Sequence, residues 1–311
     1  MIIREQEVEI LSSPLIMWDS AGKARFSYDE GEKLTEFAGR ICYKSENRMT
    51  AESWKEFLRR RKEEGHSSIF EHHWEIRKYN DVDDGLSIAV GSPFLFRKGP
   101  YISGNVLAFE RDFPGYLERT HLVPEQEIRH VFLSDIKKFA KLIPLSVRFV
   151  TNRGITHEMV RHRYPFSYSQ ESTRYCRYSG DMEFIRPEWL TDAPLGVSIT
   201  IDNVDDVVTD FWGGVKDKDD SVGKAIGAWF YACLSSEIAY DRFLAAGRIP
   251  QEARGVLMND LKTEIVVTTS VWGWEWMLHR RLDVRAHPQY RELMEELVRI
   301  CRPFITFTWR A

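Results

Sequence analysis

Residues 161–175 read RHRYPFSYSQESTRY, and the stretches that lead into them set the expected order of the fold. Upstream, PLSVRFVT at 144–151 is typical of a strand, and the apolar spacing over 155–163 predicts a helix. Pro165 stops that helix, because proline lacks the backbone N–H that a continuing helix requires. The sequence therefore predicts a strand, a helix and then an irregular loop with free side chains and backbone N–H groups.

The loop concentrates cationic and hydroxyl side chains. Arg161, His162 and Arg163 cannot all face water on one side of a helix, because successive residues point about 100° apart. At least one of them must therefore face inward or into a cleft. Arg174 adds a planar guanidinium that suits a phosphate or a pyrimidine carbonyl. These residue types favour a site for a phosphorylated ligand, and the alternative is a solvated basic turn.

Length, charge and cysteine usage limit the possible classes of function. A chain of 311 residues with 43% hydrophobic content can bury a sizeable core, and we expect one domain over 1–311. The formal net charge of −4 argues against broad binding of nucleic acid. Four cysteines without a CxxC pattern predict reduced thiols, a cytoplasmic protein and no zinc site. No run of ~18 apolar residues occurs, so we expect no membrane span.

Hydrophobic periodicity and turn residues predict the remaining elements. Strands are expected within 1–20 and over 69–79, 86–96 and 101–109. Helices are expected over 28–41, 51–64, 125–142, 225–246, 250–262, 264–281 and 288–301. Residues 191–224 are rich in Gly and Asp and predict a surface insertion or mobile connection, with a short helix with frayed ends as the alternative.

The loop contains a motif in which RHR is followed, after a spacer, by Ser172 and Arg174. Three further segments of the chain carry motifs as well. The other segments are GHSSIFEHHWEI at 65–76, IPQEARGVLMNDLK at 249–262 and RLDVRAHPQYREL at 281–293. Together these motifs resemble the flavin-dependent thymidylate synthases, the ThyX family, over most of the chain. The resemblance implies an α/β fold with a largely antiparallel sheet flanked by helices, and a homotetramer with active sites between subunits.

Two features depart from the family pattern. Eight residues, 164–171, separate the second Arg of RHR from the Ser, which is one more than the family's usual spacing. In addition, SVWGWEW at 270–276 stands where relatives carry three polar flavin-side groups. At Ser270, Trp272 and Trp276 these polar groups are therefore replaced. The tryptophans either form a stacking surface for a ligand or are ordinary core residues.

The resemblance assigns roles to particular side chains. It implies cofactor binding by Arg161, His162, Arg163, His72, Ser169 and Cys42. It implies substrate binding by Glu158, Gln170, Glu171, Ser172, Arg174, Arg254 and Arg281, with Arg254 supplied by a neighbouring subunit. It implies catalytic roles for Arg174, Ser172 and His72. We interpret Ser172 as a ligand and not as an attacking group, because no paired base is evident.

The predicted orientation of the His72 side chain depends on the strand expected over 69–79. On a strand, His72 and Trp74 share one face, while Glu71 and His73 share the other, so only one of the two adjacent histidines can reach a site. The resemblance places His72 beside the flavin.

The implied reaction is reductive methylation at C5 of a uracil nucleotide, dUMP to dTMP. FAD would carry hydride, 5,10-methylenetetrahydrofolate would donate the carbon and NADPH would be the reductant. One alternative keeps this chemistry but uses UMP in a modified-nucleoside pathway. Another is single-stranded nucleic-acid binding, with bases stacked on aromatic side chains. No metal is expected, because His157 and His162 would point about 140° apart on a helix.

Overall fold

The computed structural model describes residues 1–16, 24–80, 92–178, 180–190, 193–213 and 220–307. The chain divides into two compact units. The first unit consists of residues 1–7, 150–159 and 171–264, and the second consists of residues 8–149, 160–170 and 265–311.

Ten strands occur in the described residues: β1 Ile2–Arg4, β2 Glu7–Ser12, β3 Trp74–Tyr79, β4 Leu95–Lys98, β5 Tyr101–Asn105, β6 Thr120–Leu122, β7 Pro144–Asn152, β8 Ser167–Gln170, β9 Glu183–Ile185 and β10 Lys262–Ser270. The boundary between the units falls after the first residue of β2, within β7 and within β10.

The α-helices of the described residues are α1 Gly31–Ile41, α2 Ser53–Glu63, α3 Val106–Asp112, α4 Tyr116–Arg119, α5 Glu125–Phe132, α6 Ile136–Phe139, α7 Arg153–Met159, α8 Val204–Gly213, α9 Asp220–Ala245, α10 Pro250–Ala253, α11 Val271–Arg281 and α12 Pro288–Cys301. Short 3-10 helices occupy Glu46–Arg48, Ser67–His72, Leu133–Asp135 and Arg254–Val256. Among the residues that the structure describes, no helix combines the length and the apolar character needed to cross a membrane.

The second unit contains two four-stranded sheets. One has the order β4-β5-β3-β6, and its described pairs are antiparallel. The other has the order β2-β7-β10-β8, and β8 runs antiparallel to β10 with Ser169 opposite Val266. Helix α1 buries Leu34, Phe37 and Ile41 in one hydrophobic cluster with Val266. This unit confirms the mixed α/β fold with largely antiparallel pairing that the sequence predicts.

The first unit is built around the long helix α9. Its core contains Trp229, Phe230 and Leu234 from α9, together with Ile3 of β1 and Phe184 of β9. Strands β1 and β9 pair in parallel, so this small sheet departs from the antiparallel pattern.

Part of the segment expected as a surface insertion forms helices of the first unit. It includes α8, whose first residue Val204 is fully buried, and the beginning of α9. The alternative of a short helix is therefore closer to the structure over 204–213. Residues 191–192 and 214–219 lie outside the described part of the chain.

Several predicted elements are confirmed at their ends. Helix α12 spans the predicted 288–301. Helix α2 is followed by Gly65 with φ of 74°, a left-handed conformation that glycine adopts without steric cost and that suits a helix end. Local sequence signals decide these boundaries, since proline starts a helix well and glycine ends one well.

Other predicted elements are wrong, and tertiary packing explains them. The expected helices over 250–262 and 264–281 give way to α10, the buried strand β10 and α11. The run IVVTT at 265–269 is β-branched and every residue of β10 is buried, so the strand is favoured over a helix. The segment 101–109 holds β5 but then turns into α3, which Asn105 caps by accepting a hydrogen bond from the Ala108 N–H at 2.8 Å.

The strand predicted over 69–79 begins only at Trp74, because Ser67–His72 forms a 3-10 helix. The alternation argument for His72 therefore does not apply. Of the strand predicted over 86–96, residues 86–91 lie outside the described residues, and β4 begins at Leu95.

Candidate functional site

The RHR triplet lies in a turn and not on a helix. Helix α7 starts after Asn152, whose side chain accepts a hydrogen bond from the Ile155 N–H at 2.8 Å, and it ends at Met159. The predicted helix to residue 163 is therefore too long. Arg161 and Arg163 are exposed, whereas His162 is 4% exposed. The prediction that one residue of the triplet faces inward is confirmed.

The buried His162 lies among side chains of the last two helices. Its Nε2 accepts a hydrogen bond from Nε of Arg281 at 2.9 Å, and the Arg281 guanidinium lies 4.6 Å from the centre of the Tyr290 ring. Trp276 contacts the imidazole edge-on, with ring centres 5.0 Å apart. The hydroxyl of Tyr168 donates to the His162 carbonyl at 2.7 Å. The structure thus brings His162 and Arg281 together, two residues that the resemblance assigned to binding.

The protonation state of His162 follows from these contacts. Burial, and then the nearby cations Arg281 and Arg280, lower the pKa of His162 to about 4, so the ring is neutral near pH 7. Because Nε2 accepts from Arg281, the ring proton sits on Nδ1. Nδ1 is buried and has no hydrogen-bond partner among the described residues. The turn therefore holds a buried N–H donor with spare capacity.

His72 is fully buried at the end of its 3-10 helix. Its Nδ1 lies 2.8 Å from Thr268 Oγ1 on β10, and its Nε2 lies 2.9 Å from Ser169 Oγ on β8. Thr268 donates its own proton to Ser146 on β7 at 2.8 Å, so Nδ1 of His72 is the donor and Nε2 accepts from Ser169. Burial lowers the pKa of His72 to about 3, which keeps the ring neutral. His72 is hydrogen-bonded to β10 and β8, and Thr268 extends this network to β7.

Cys42 lies against the same strand as Ser169. Cys42 directly follows the last residue of α1, and its Sγ lies 3.6 Å from the Ala38 carbonyl. Burial raises the pKa of Cys42, although hydrogen bonding by Ser169 and the backbone of Gln170 opposes that rise. The thiol is therefore protonated at neutral pH. The structure brings Cys42, Ser169, Gln170 and His72 together in the second unit.

In the first unit, Glu171 is held in a buried polar cluster. Its Oε1 accepts a hydrogen bond from the Tyr178 hydroxyl at 2.6 Å, and its N–H donates to the Glu264 carbonyl at 2.9 Å. Lys262 Nζ lies 2.5 Å from Glu264, 3.6 Å from Glu183 and 3.9 Å from Glu171. Burial alone would lower the pKa of Lys262, but these carboxylates raise it above its usual value. The cluster fixes the backbone at Glu171.

A tight turn follows Glu171 directly. The Ser172 carbonyl accepts hydrogen bonds from the N–H groups of Tyr175 at 3.1 Å and Cys176 at 2.9 Å. Ser172 Oγ accepts from the Arg174 N–H at 3.3 Å, and the exposed Arg174 guanidinium lies 5.4 Å from the centre of the Tyr175 ring. The turn therefore carries a hydroxyl and an exposed guanidinium two residues apart, and both groups can bind an oxyanion.

The other predicted substrate residues of the first unit lie on different elements. Glu158 is half-buried near the end of α7. Arg254 is exposed at the first residue of a 3-10 helix, and not within the longer helix that the sequence predicts.

The segment 270–276 resolves into different environments. Ser270 caps α11 by accepting from the Gly273 N–H at 3.2 Å, and it is fully buried. Trp272 packs against Phe96, with ring centres 6.4 Å apart. Trp276 is 37% exposed beside His162, so of the three it has the most surface left for a ligand.

Sequence reasoning missed the residues that hold these groups in place. Tyr178, Lys262, Thr268 and Tyr290 each contact a predicted site residue in the structure. No motif marks them, because their importance comes from contacts that the fold creates. For Thr268 the one available signal was the β-branched run that forms β10.

Comparison with known proteins places the chain in context. Residues 126–305 match the family model described as thymidylate synthase complementing protein. The flavin-dependent thymidylate synthase of Mycolicibacterium vanbaalenii is 29% identical over 177 residues, which cover 55% of this chain and 63% of the relative. The enzyme of the same name from Mycobacterium marinum is 30% identical over the same coverage. The matched region spans less than two thirds of the length of these relatives.

Proposed function

Because the family match covers more than half of its length, the chain belongs to the thymidylate synthase complementing protein family, and we propose that it methylates a uracil nucleotide with a flavin cofactor. The substrate proposed is dUMP and the product dTMP. The carbon donor proposed is 5,10-methylenetetrahydrofolate, and the reductant proposed is NADPH. The observation that carries the proposal is the buried, neutral His162 of the RHR turn, with Nδ1–H unpartnered among the described residues and Nε2 on Arg281.

The second unit supports the cofactor part of this proposal. A buried N–H donor that lacks a partner costs free energy unless a ligand satisfies it. The Nδ1–H of His162 is such a donor within the described residues, and FAD offers carbonyl and ring-nitrogen acceptors for it. Arg161 and Arg163 lie exposed on either side and suit the phosphates of FAD. When bound, FAD would supply hydride for reduction of the transferred carbon.

His72 receives a positioning role within the same proposal. Both of its ring nitrogens are already bonded to Thr268 and Ser169, and the ring is fully buried. It therefore orients Ser169 on β8, the strand that follows the RHR turn, and does not itself exchange a proton. Ser169 and Cys42 remain proposed cofactor contacts.

The first unit supports the nucleotide part. Methylation at C5 requires stabilisation of negative charge that develops on the pyrimidine carbonyls, and preorganised cations and N–H donors supply it. Arg174 is exposed on a turn that backbone hydrogen bonds hold in shape, so its charge needs little reorganisation. Ser172 accepts from a backbone N–H and has no histidine base among its hydrogen bonds in the described residues, which favours a ligand role over nucleophilic attack.

The remaining assignments concern binding and assembly. We infer nucleotide contacts for Glu158 and Glu171 in the first unit. In the second unit, Gln170 is proposed to contact the nucleotide and Arg281 the base. Arg254 would reach the phosphate of a nucleotide bound by a neighbouring subunit of a homotetramer. Its exposure on the first unit's surface is consistent with a role outside its own chain.

The test is anaerobic turnover of dUMP and UMP side by side, with methylenetetrahydrofolate, FAD and NADPH. Product mass should rise by about 14 Da on dUMP, as addition of CH2 requires. A gain chiefly on UMP would favour the modified-nucleoside alternative. No gain on either nucleotide, with FAD bound, would contradict the proposal.

A pair of arginine variants sharpens this test. Arg174→Ala should lower kcat by roughly 10²–10³-fold, the usual loss when one preorganised donor is removed from a developing charge. Arg177→Ala is the matched control, because Arg177 is also exposed and lies three residues away. It should stay within about twofold of the parent, as surface substitutions usually do. Equal losses in both variants would contradict the role of Arg174.

A further inference from the structure

A cleft of about 660 Å³ lies in the second unit, lined by α1, α2 and the residues between them. Its lining side chains are Arg40, Tyr43, Lys44, Ser45, Arg48, Ser53, Glu56, Phe57, Arg60 and Arg61. Five of these are cationic and one is a carboxylate, in a chain whose formal net charge is −4. The volume suits a small-molecule ligand, and the lining charge suits an anion.

Two guanidinium groups of the cleft are held by an aromatic ring. The Arg40 guanidinium lies 4.7 Å and that of Arg61 5.4 Å from the centre of the Phe57 ring. Arg40 is also fixed by buried Glu36 at 2.7 Å. Glu36 beside Arg40 and Glu64 beside Arg61 offset the repulsion between the two like charges on one ring. Both guanidinium groups are therefore held in fixed positions at the cleft.

Arg61 provides a second, independent sign of a ligand. Its terminal nitrogens contact Glu64 at 2.9 Å and Tyr43 at 3.5 Å. Its Nε is buried and has no hydrogen-bond partner among the described residues. A buried N–H donor without a partner is unfavourable unless a ligand supplies an acceptor, and arginine N–H groups bind phosphate oxygens well.

The turn after α1 brings a further charge to the cleft. Ser45 N–H donates to the Arg40 carbonyl at 3.2 Å and Lys44 N–H donates to the Ile41 carbonyl at 3.3 Å, which is the pattern of a helix end that usually takes glycine. Lys44 occupies the left-handed position with φ of 49°. A lysine adopts this conformation less readily than glycine, and at this position it adds a positive charge to the lining of the cleft.

We propose that this cleft binds a small molecule with two or more phosphate groups, at a site separate from the proposed flavin and nucleotide residues. None of those residues lines the cleft. Cys42, which interrupts the lining sequence, instead faces the Ala38 carbonyl and strand β8.

Inorganic tripolyphosphate is the probe, measured by isothermal titration calorimetry on the full chain at low ionic strength. One site per chain is expected, with affinity that falls as salt rises. The double variant Arg48→Gln/Arg60→Gln removes two exposed lining cations and should weaken binding by at least about tenfold, as loss of charge-assisted hydrogen bonds does. Circular dichroism checks that the variant stays folded.

Arg59→Gln is the matched control. Arg59 neighbours Arg60 on α2 and pairs with Glu56 and Glu63, but it does not line the cleft. The affinity of Arg59→Gln for tripolyphosphate should stay within about threefold of that of the parent. An equal loss in both variants, or no binding of tripolyphosphate to the parent, would overturn the proposal.

Competition distinguishes the remaining possibilities. Tighter binding of citrate than of tripolyphosphate would indicate that the cleft prefers a polycarboxylate. That result would overturn the proposed ligand class, a molecule with two or more phosphate groups. Displacement of tripolyphosphate by FAD would make the cleft part of the flavin site and overturn the claim of a separate one. Binding of a single-stranded oligonucleotide alone, lost in the double variant, would assign the cleft to a polymer instead.

Discussion

Two buried histidines of the second unit have different surroundings. His72 has a partner for each ring nitrogen, Thr268 on one side and Ser169 on the other. His162 has Arg281 on one nitrogen, and its other nitrogen is buried without a partner among the described residues. Burial makes both neutral at physiological pH. The comparison teaches that burial alone does not mark a functional histidine, whereas a buried donor without a partner can still bind a ligand.

Truncation of each histidine should separate their structural roles most strongly. His72→Ala should lower the free energy of unfolding by roughly 3–5 kcal/mol, because it opens a cavity and leaves two buried hydroxyls with lost partners. His162→Ala opens a similar cavity but removes one hydrogen bond fewer, so its cost should be smaller by about 1–3 kcal/mol. Urea unfolding measures both.

His130→Ala serves as the control for that comparison, because His130 is exposed on α5 in the same unit. It should change stability by less than about 0.5 kcal/mol. A His162 variant that costs more than the His72 variant would reverse the comparison.

Acid should act on both histidines with the same sign but over different ranges. Each pKa is lower in the folded chain than the unfolded value near 6.5, so the unfolded chain binds more protons and stability falls as pH falls below about 6.5. Each histidine should remove roughly 2 kcal/mol between pH 7 and pH 5. The loss from His162 should end near its pKa of about 4, and that from His72 near about 3.

The contribution of each histidine is measured from the free energy of unfolding at several pH values. The proteins compared are the parent, His72→Gln and His162→Gln. Each variant should show a shallower pH dependence than the parent. Parallel curves for all three proteins would mean that neither histidine is buried neutral.

How far the sequence anticipates this site differs between the two histidines. Helix geometry predicts one inward-facing residue in the RHR triplet, and His162 is that residue, although the triplet lies in a turn beyond the end of α7. The environment of His72 could not be predicted in the same way, since its partners lie 97 and 196 residues away along the chain. The strand predicted over 69–79 is present from Trp74 to Tyr79, whereas the part that contains His72 belongs to a 3-10 helix over Ser67–His72.

The region after residue 249 shows the same limit. Pro250 and Pro288 correctly mark helix starts, because proline at the first helical position is a local signal. The buried strand β10 was missed because short apolar runs do not distinguish strand from helix by periodicity. Residues such as Lys262 and Thr268 become neighbours of the site only through that strand.

The smallest expected effect concerns the cation beside His162. Arg281→Gln removes the positive charge, so the pKa of His162 should rise, but burial is the larger cause of its lowering and should keep it below the usual value. Titration of the imidazole by NMR in histidine-labelled protein measures this change. A pKa restored to 6.5 would mean that Arg281, and not burial, controls the ring.

The most direct test is titration of the protein with FAD at pH 8, where His162 is neutral, followed by flavin fluorescence. The parent should bind FAD, and His162→Phe should bind it about tenfold more weakly, as expected from loss of one buried hydrogen bond near 1.4 kcal/mol. His157→Phe is the control, because His157 is exposed on α7, and its affinity should be unchanged. No FAD binding by the parent, or equal binding by the parent and His162→Phe, would contradict the assignment of the RHR turn to the flavin.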